Sequence, residues 1–226
     1  GNKPAQEIVI DSLKKLEYRG YDSSGIALHE GKLVFSKKEG PIVNLESVLK
    51  PSKSNMAIAH TRWATHGVPS DVNSHPHLSN DGKIAVVHNG TIDNYLDIKS
   101  SLEDEGFEFL SESDTEVIPN LISKYYDGDL VKAVSKILDE IQGIYTIAAI
   151  HEDNSEQIVS VRNETPLVIG LGNRENYVAS DIYAILKYTQ QIIYPEDHQI
   201  VSVSPNEVSV FDENLSKIEF EVETVE

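Results

Sequence analysis

Helix-like and strand-like stretches are segregated along this chain, and that segregation narrows the possible folds more than any other feature. An early helical segment from Pro4 to about Glu17 carries apolar residues at Ala5, Ile8, Val9, Leu13 and Leu16. Short strand-like runs follow at 24–28 and 32–35, with His29-Glu30-Gly31 as a hairpin turn. The continuous apolar runs MAIAHT (56–61) and IAVVHNG (84–90) have the composition of strands buried on both faces. Three helical periods then come in succession, over 92–105, 114–126 and 129–141. Beyond them strands dominate, at 144–150, 157–162, 166–171, 176–180, 191–195, 199–203 and 207–211, interrupted by a short helix around 181–187. Strict alternation of strand and helix would build a parallel sheet, whereas blocks of each predict an α+β fold of stacked layers.

Between these runs, residues 38–55 read as an excursion around a short helical turn, and 63–83, punctuated by Gly67, Pro69, Pro76 and Gly82, as a long loop. Loops of that length are usually functional or disordered. Gly170-Leu171-Gly172 lacks the third glycine of a phosphate loop and reads as a hairpin turn. The alternation IEFEVE (218–223) reads as a sheet edge with outward glutamates.

At 226 residues the chain suffices for one substantial domain or at most two small ones. Its formal charge of −18 argues against nucleic acid as a partner, because phosphate backbones need dense Lys and Arg. No apolar run approaches the roughly 18–20 residues of a membrane-spanning helix, and no signal-peptide pattern opens the chain. A cytosolic protein with small-molecule or protein partners is the expectation. The sequons at Asn89, Asn163 and Asn214 are then chance matches. There is no cysteine, which excludes disulfides, thiolate metal sites and cysteine nucleophiles within these residues. The chain opens without Met, at GNKP, so a preceding segment is expected.

Four segments set unusual side chains beside strand ends or helix starts: EYRGYDSSG (17–25), HTRWATHG (60–67), HNG (88–90) and SESDTE (111–116). Arg62 follows a strand too apolar for the surface; its rigid fork of donors suits a carboxylate held bidentately, or equally an ion pair with one of the many acidic side chains. Trp63 fits a core and His66 a satisfied polar position in a loop. Asn89-Gly90 fits a type I′ turn, although the sequence beyond it looks helical rather than like a returning strand. A side-chain amide beside a glycine N–H also has the donors of an oxyanion hole. Ser113 and Glu116 fit a capping box, in which Asp114 simply favours the positive helix end. Alternatively Asp114 meets a ligand ammonium, and with Arg62 it would hold both charged ends of one amino acid. His60, His66, His75, His77 and His88 follow no usual metal-ligand spacing, so neither a metal nor another cofactor is expected.

Taken together, LEYRGYDSSG, AHTRWATHG, NSHPH, VVHNG and SESDTEV resemble the glutaminase domain of the glucosamine-6-phosphate synthases (glutamine–fructose-6-phosphate aminotransferases). These are class II glutamine amidotransferases with an N-terminal nucleophile. The segments occur in the family's order and at about its spacing, and PLVIGLG and ASD (179–181) extend the resemblance along nearly the whole chain. The resemblance implies a single glutaminase domain over 1–226, folded as a four-layer αββα sandwich of two antiparallel sheets. It also implies that L-glutamine is hydrolysed through a cysteine thioester, its ammonia passing to fructose 6-phosphate in amino-sugar biosynthesis. Carried over by position, Arg62 would bind the glutamine carboxylate and Asp114 its ammonium. Trp63, Thr65, His66 and Gly67 would form the loop closing over it, Asn89 and Gly90 the oxyanion hole, and Arg19 a support at the nucleophile end. His75 and His77 receive no role.

The chain departs from the family at one decisive place. The family's nucleophile is a cysteine at the mature N-terminus, heading a short apolar strand and activated by its own amine. That strand would end just before Gly1 or overlap it, and its cysteine is missing, so residues 1–226 by themselves are expected to lack glutaminase activity. The family's C-terminal sugar-phosphate isomerase domain has no counterpart in this sequence; with it the full-length protein would be a homodimer. The rival expectations are a non-catalytic glutamine-binding module and an amidotransferase domain serving a different acceptor.

Overall fold

The structure is a computed structural model and describes residues 1–225. Helix α1 (Ala5–Leu16) runs into a 3-10 turn (Glu17–Arg19) and the hairpin of β1 (Ser23–His29) and β2 (Leu33–Glu39). After α2 (Ile42–Val48) come β3 (Ala57–Arg62), the two-residue β4 (His77–Leu78) and β5 (Ile84–Ile92). A helical block follows: α3 (Tyr95–Asp104), a 3-10 turn (Asp114–Glu116) continuing into α4 (Val117–Tyr125), and α5 (Leu130–Ile137). The strands β6 (Gly143–His151), β7 (Ile158–Asn163), β8 (Val168–Leu171) and β9 (Asn176–Ala179) precede a 3-10 turn at Ile182–Ala184. The last five are β10 (Gln191–Ile193), β11 (Ile200–Val203), β12 (Val208–Phe211), β13 (Lys217–Ile218) and β14 (Glu223–Thr224).

All named strand pairs are antiparallel. Seven strands form one sheet in the order β13-β12-β11-β7-β6-β5-β4. The layer opposite is divided into a three-stranded sheet, β2-β1-β3, and a four-stranded sheet, β14-β10-β8-β9. Period-two alternation assigns the faces. In β5, Ile84 and Val86 join the core under α3, α4 and α5, while Ala85 packs with Ala27, Ile58 and Ile150 between the sheets. In β1, Ile26 and Leu28 turn the other way, onto Ile10 and Leu13 of α1 and Ile42 and Leu45 of α2. The four-stranded sheet sets Ile169 and Ile193 against Val201 and Val210, and Val168 and Ile192 toward Ile185 and α1. The layers therefore run helix, sheet, sheet, helix, as expected, with one of the two sheets split.

The periodicity located most elements, and the differences have physical causes. The 92–105 pattern narrows to Tyr95–Asp104 because β5 continues through Asn89-Gly90 to Ile92, paired with β6 to its end. Asn-Gly is therefore neither a turn nor a strand terminus. IEFEVE is not one edge strand: β13 extends the seven-stranded sheet and β14 the four-stranded one. Gly170 and Leu171 belong to β8, and the hairpin turn lies after them. No helix among the described residues is long and apolar enough to cross a membrane.

Helix α1 bridges the divided layer. Its Ile10 and Leu13 cover the three-stranded sheet, Ile8 and Leu16 pack on the four-stranded one, and Ser12 Oγ donates to Ala184 O at 2.9 Å. Ile10 and Leu13, almost fully buried, each contribute about 1.5–3 kcal/mol. Beneath α1, the outer edges of β3 and β9 face a cavity of about 520 Å³. Two glycines of EYRGYDSSG permit close approach in this region. A Cβ on Gly20 would lie 2.8 Å from the Arg62 carbonyl carbon, and one on Gly25 only 2.1 Å from His75 O. Gly25→Ala is therefore expected to cost about 1–3 kcal/mol or more, lowering the urea midpoint; an unchanged midpoint would contradict this packing.

Candidate active site

The site is assembled by the alternation that built the core. On β3 the face carrying Ile58 toward the opposite sheet also carries His60 and Arg62. On β5 the face of Ala85 and Val87 also carries Asn89. These side chains meet at one end of the cavity, which Arg19, Trp63, Thr65, Gly90 and Asp114 also line.

Arg62 is only 4% exposed. Its Nη2 donates to the carbonyls of His66 and, at 3.3 Å, of Gly67. Its Nη1 is buried and has no hydrogen-bond partner among the described residues. Burial draws its pKa below the ordinary value, opposed by the charges of Asp114 and Asp22, yet no ion pair within 4.0 Å involves it among the described residues. The ion-pair reading of Arg62 therefore fails, and a buried guanidinium with an unpaired donor remains beside a cavity. Such a group is costly unless an anion or another acceptor meets it.

Asp114 is 3% exposed. Its Oδ2 accepts from Ile92 N at 2.9 Å, and its Oδ1 lies 3.9 Å from His66 Nδ1. The capping box expected around it is not formed. Ser113 Oγ accepts from Thr115 N at 3.3 Å, but the Glu116 carboxylate turns back to Leu110 N, Ser111 N and Ser111 Oγ rather than to Ser113 N. Asp114 is thus held by the end of β5, not by the helix it begins.

The HTRWATHG loop is fastened at several points. Besides the Arg62 bonds, Ala64 N donates to Asp22 Oδ2 at 2.8 Å, and Asn73 Nδ2 donates to Val68 O at 2.9 Å. The His66 ring meets Tyr95 edge-on, with centroids 5.3 Å apart. Trp63 is not core: it is 59% exposed and touches only the edge of Tyr21 among aromatic rings. Thr65 is likewise exposed on the cavity rim. Arg19 lies at the mouth, its Nη1 3.3 Å from Asp181 Oδ2. Gly90 has φ +117°, and a Cβ there would stand 2.0 Å from Ile144 O, so only glycine fits.

The sequence assigns no role to His60, His75 or His88, although they form the polar heart of this wall. His60 Nε2 lies 2.8 Å from Asn89 Oδ1, and the His60 and His75 rings are 4.2 Å apart. Thr115 Oγ1 sits 2.9 Å from both His75 Nε2 and His88 Nδ1. No group of three or more His, Cys, Asp or Glu among the described residues is placed to hold a metal ion. Asp22, Asn73 and Thr115 were also missed. Asp22 and Thr115 act on segments distant in sequence, and Asn73 joins nearby Val68 to distant Glu112, whose N–H its Oδ1 accepts at 2.9 Å, so spacing carries no signal.

The glutamine amidotransferase domain family profile matches residues 60–187 of this chain. The chain is 49% identical to the glutamine–fructose-6-phosphate aminotransferase (isomerizing) of Caldanaerobacter subterraneus, over 98% of this chain and 38% of that protein. It is 48% identical to the enzyme of the same name from Clostridium perfringens, over 98% of this chain and 37% of that one. The chain therefore spans less than two fifths of these relatives. Among solved structures, the glutamine phosphoribosylpyrophosphate amidotransferase of B. subtilis, complexed with ADP and GMP, superposes with a TM-score of 0.81 at 26% identity, covering 96% of this chain and 48% of that one.

Burial keeps the histidine wall neutral. It pushes His60 and His88 down to about 4, and His75 and His77 well below their ordinary value of 6.5. The unfolded chain binds these protons near pH 6.5 and the folded chain does not. Their neutrality therefore costs nothing above that pH, and stability falls as pH drops from about 6.5 to about 4, by up to about 1.4 kcal/mol per unit for each histidine. Denaturant midpoints are expected to be level above pH 7 and to decline steeply below 6.5; a level profile down to pH 5 would contradict the neutral cluster.

Proposed function

This chain belongs to the glutamine amidotransferase family, and from that premise we propose that its cavity binds L-glutamine and, within a longer protein, releases ammonia from it for transfer to fructose 6-phosphate. The observation that carries this reading is Arg62, whose buried Nη1 has no partner on the wall shared with Asp114, Asn89 and Gly90. The guanidinium meets the substrate carboxylate and Asp114 its ammonium, so the side-chain amide is presented to Asn89 Nδ2 and the Gly90 N–H. The acceptor is supported by the names and near-50% identity of the curated relatives. In this reading the longer protein carries a sugar-phosphate isomerase domain beyond these residues, is cytosolic and works as a homodimer.

The nucleophile in this reading is a cysteine on a strand ahead of Gly1. The Gly1 ammonium donates to Asn55 O at 2.8 Å, beside the start of β3. A strand entering Gly1 along the open edge of β3 would run antiparallel to it, and about six residues at roughly 3.3 Å each reach the Arg62 end. It would close the space between β3 and β9 and set its first residue against Asn89. The thiol gives its proton to its own amine, and sulfur attacks the amide carbon. The oxyanion is held by Asn89 and Gly90. The carbon–nitrogen bond then breaks, the nitrogen takes the proton and leaves as ammonia, and water cleaves the thioester to glutamate. Arg19, paired with Asp181, steadies the same end, while Trp63, Thr65, His66 and Gly67 close the mouth against water.

In the longer protein, a glutamine-like electrophile is expected to label that cysteine; binding of glutamine without labelling or hydrolysis would instead identify a binding module. Arg62→Lys loses the planar fork and is expected to raise KM for glutamine about 10- to 100-fold, the equivalent of one charged hydrogen-bond pair. An unchanged KM would remove Arg62 from the site. Asp114→Asn keeps an oxygen for Ile92 N, so KM should rise with little change in melting temperature. A large fall in melting temperature with normal KM would make Asp114 purely structural.

A further inference from the structure

We propose that His60 is a positioning residue for the oxyanion donors, its Nε2–H holding the Asn89 amide so that Nδ2 turns toward the substrate. The inference deepens the glutaminase reading and rests on it.

An asparagine amide has two nearly isosteric ends, and only one can stabilise a developing negative charge. Presenting Oδ1 instead would repel the oxyanion. At 2.8 Å from His60 Nε2, Asn89 Oδ1 accepts only, so the hydrogen must lie on that ring nitrogen. His60 Nδ1 is then bare, and it is buried without a hydrogen-bond partner among the described residues. The opposite tautomer would set two lone pairs against each other and favour a flipped amide. One imidazole tautomer thus selects the catalytic face of Asn89. Asn89 Nδ2 donates to no acceptor among the described residues, which leaves it available to the cavity.

The ring of His60 is itself braced. It packs against His75 at 4.2 Å between centroids, and His75 Nε2 and His88 Nδ1 share Thr115 Oγ1, each at 2.9 Å. His88 directly precedes Asn89, and Thr115 directly follows Asp114. The contacts form a closed circuit, Asn89 to His60 to His75 to Thr115 to His88, that ties the oxyanion donor to the residue proposed to hold the ammonium. All three histidines are neutral at physiological pH because burial lowers their pKa values, so none brings a charge to the oxyanion's surroundings.

The test uses the longer protein carrying its cysteine. His60→Phe keeps a ring against His75 and removes the donor. It should lower kcat for glutamine hydrolysis by about 10- to 100-fold, somewhat less than loss of an oxyanion donor itself, which costs about 10²- to 10³-fold. KM should stay within about twofold, since Arg62 and Asp114 are untouched. Because His60 acts only through Asn89, His60→Phe added to Asn89→Ala should slow the enzyme no further. His60→Gln, which retains an amide donor, should recover most of the loss. Multiplying effects, or an unchanged kcat in His60→Phe beside an impaired Asn89→Ala, would overturn the proposal. An unimpaired Asn89→Ala would overturn the oxyanion reading beneath it. If the Phe variant does not fold, histidine ¹⁵N shifts of the unmodified protein decide: protonated Nε2 with bare Nδ1 supports the assignment, and the reverse tautomer overturns it.

Discussion

Nine consecutive residue pairs, from Ile84 with His151 to Ile92 with Gly143, join β5 to β6 in the seven-stranded sheet. The helical layer and the divided sheet lie on opposite faces of this ladder, so both depend on its register. A slip of one residue would send Ile84 and Val86 into the wrong core and turn Asn89 away from the cavity. The ladder also explains Gly90. Its φ of +117° and the closeness of Ile144 O leave no room for a side chain while pairing continues past it. The backbone thus stays regular on either side of the point where a donor pair is presented.

Much of this was legible in advance, because it is written in local patterns. Apolar periodicity found α1, α4 and α5 and nearly every strand. That the fold is α+β in stacked layers followed from elements occurring in blocks, and the αββα order from the family resemblance. What the sequence concealed depends on which partner each group meets in the folded chain. Nothing in Asn89-Gly90 distinguishes a hairpin turn from an uninterrupted strand, since the deciding partner, Tyr145, lies more than fifty residues away. Glu116 fits a capping box by spacing, but the nearby 110–111 backbone offers its carboxylate two N–H groups and a hydroxyl. The division of one sheet into two was equally invisible, because edge and interior strands share the same alternation.

The candidate site was legible in a similarly uneven way. Arg19, Arg62, Trp63, Thr65, Asn89, Gly90 and Asp114 line one cavity, and geometry rather than spacing removed the ion-pair reading of Arg62 and the capping box around Asp114. Arg62 has no acidic partner within 4.0 Å among the described residues. Asp114 is anchored by Ile92 N at the end of β5. The histidines were counted in the sequence and set aside for lacking metal spacing. Their value lies in tautomer and packing, which residue order does not encode. They also make the wall sensitive to acid, so the rigidity of the site and the tolerance of the fold to low pH draw on the same four rings.

Arg62 holds the carbonyls of His66 and Gly67 with one arm of the fork that it offers to the cavity. The anchor of the loop at the mouth and the proposed reader of the substrate's charged end are therefore one group. If Arg62 reads the ligand as proposed, grip and release are not tuned separately: a sequence change that tightens the hold on the ligand would also act on the loop that the same side chain fastens. In that reading dwell time and affinity are linked through a single side chain, and selection on either would be felt by both.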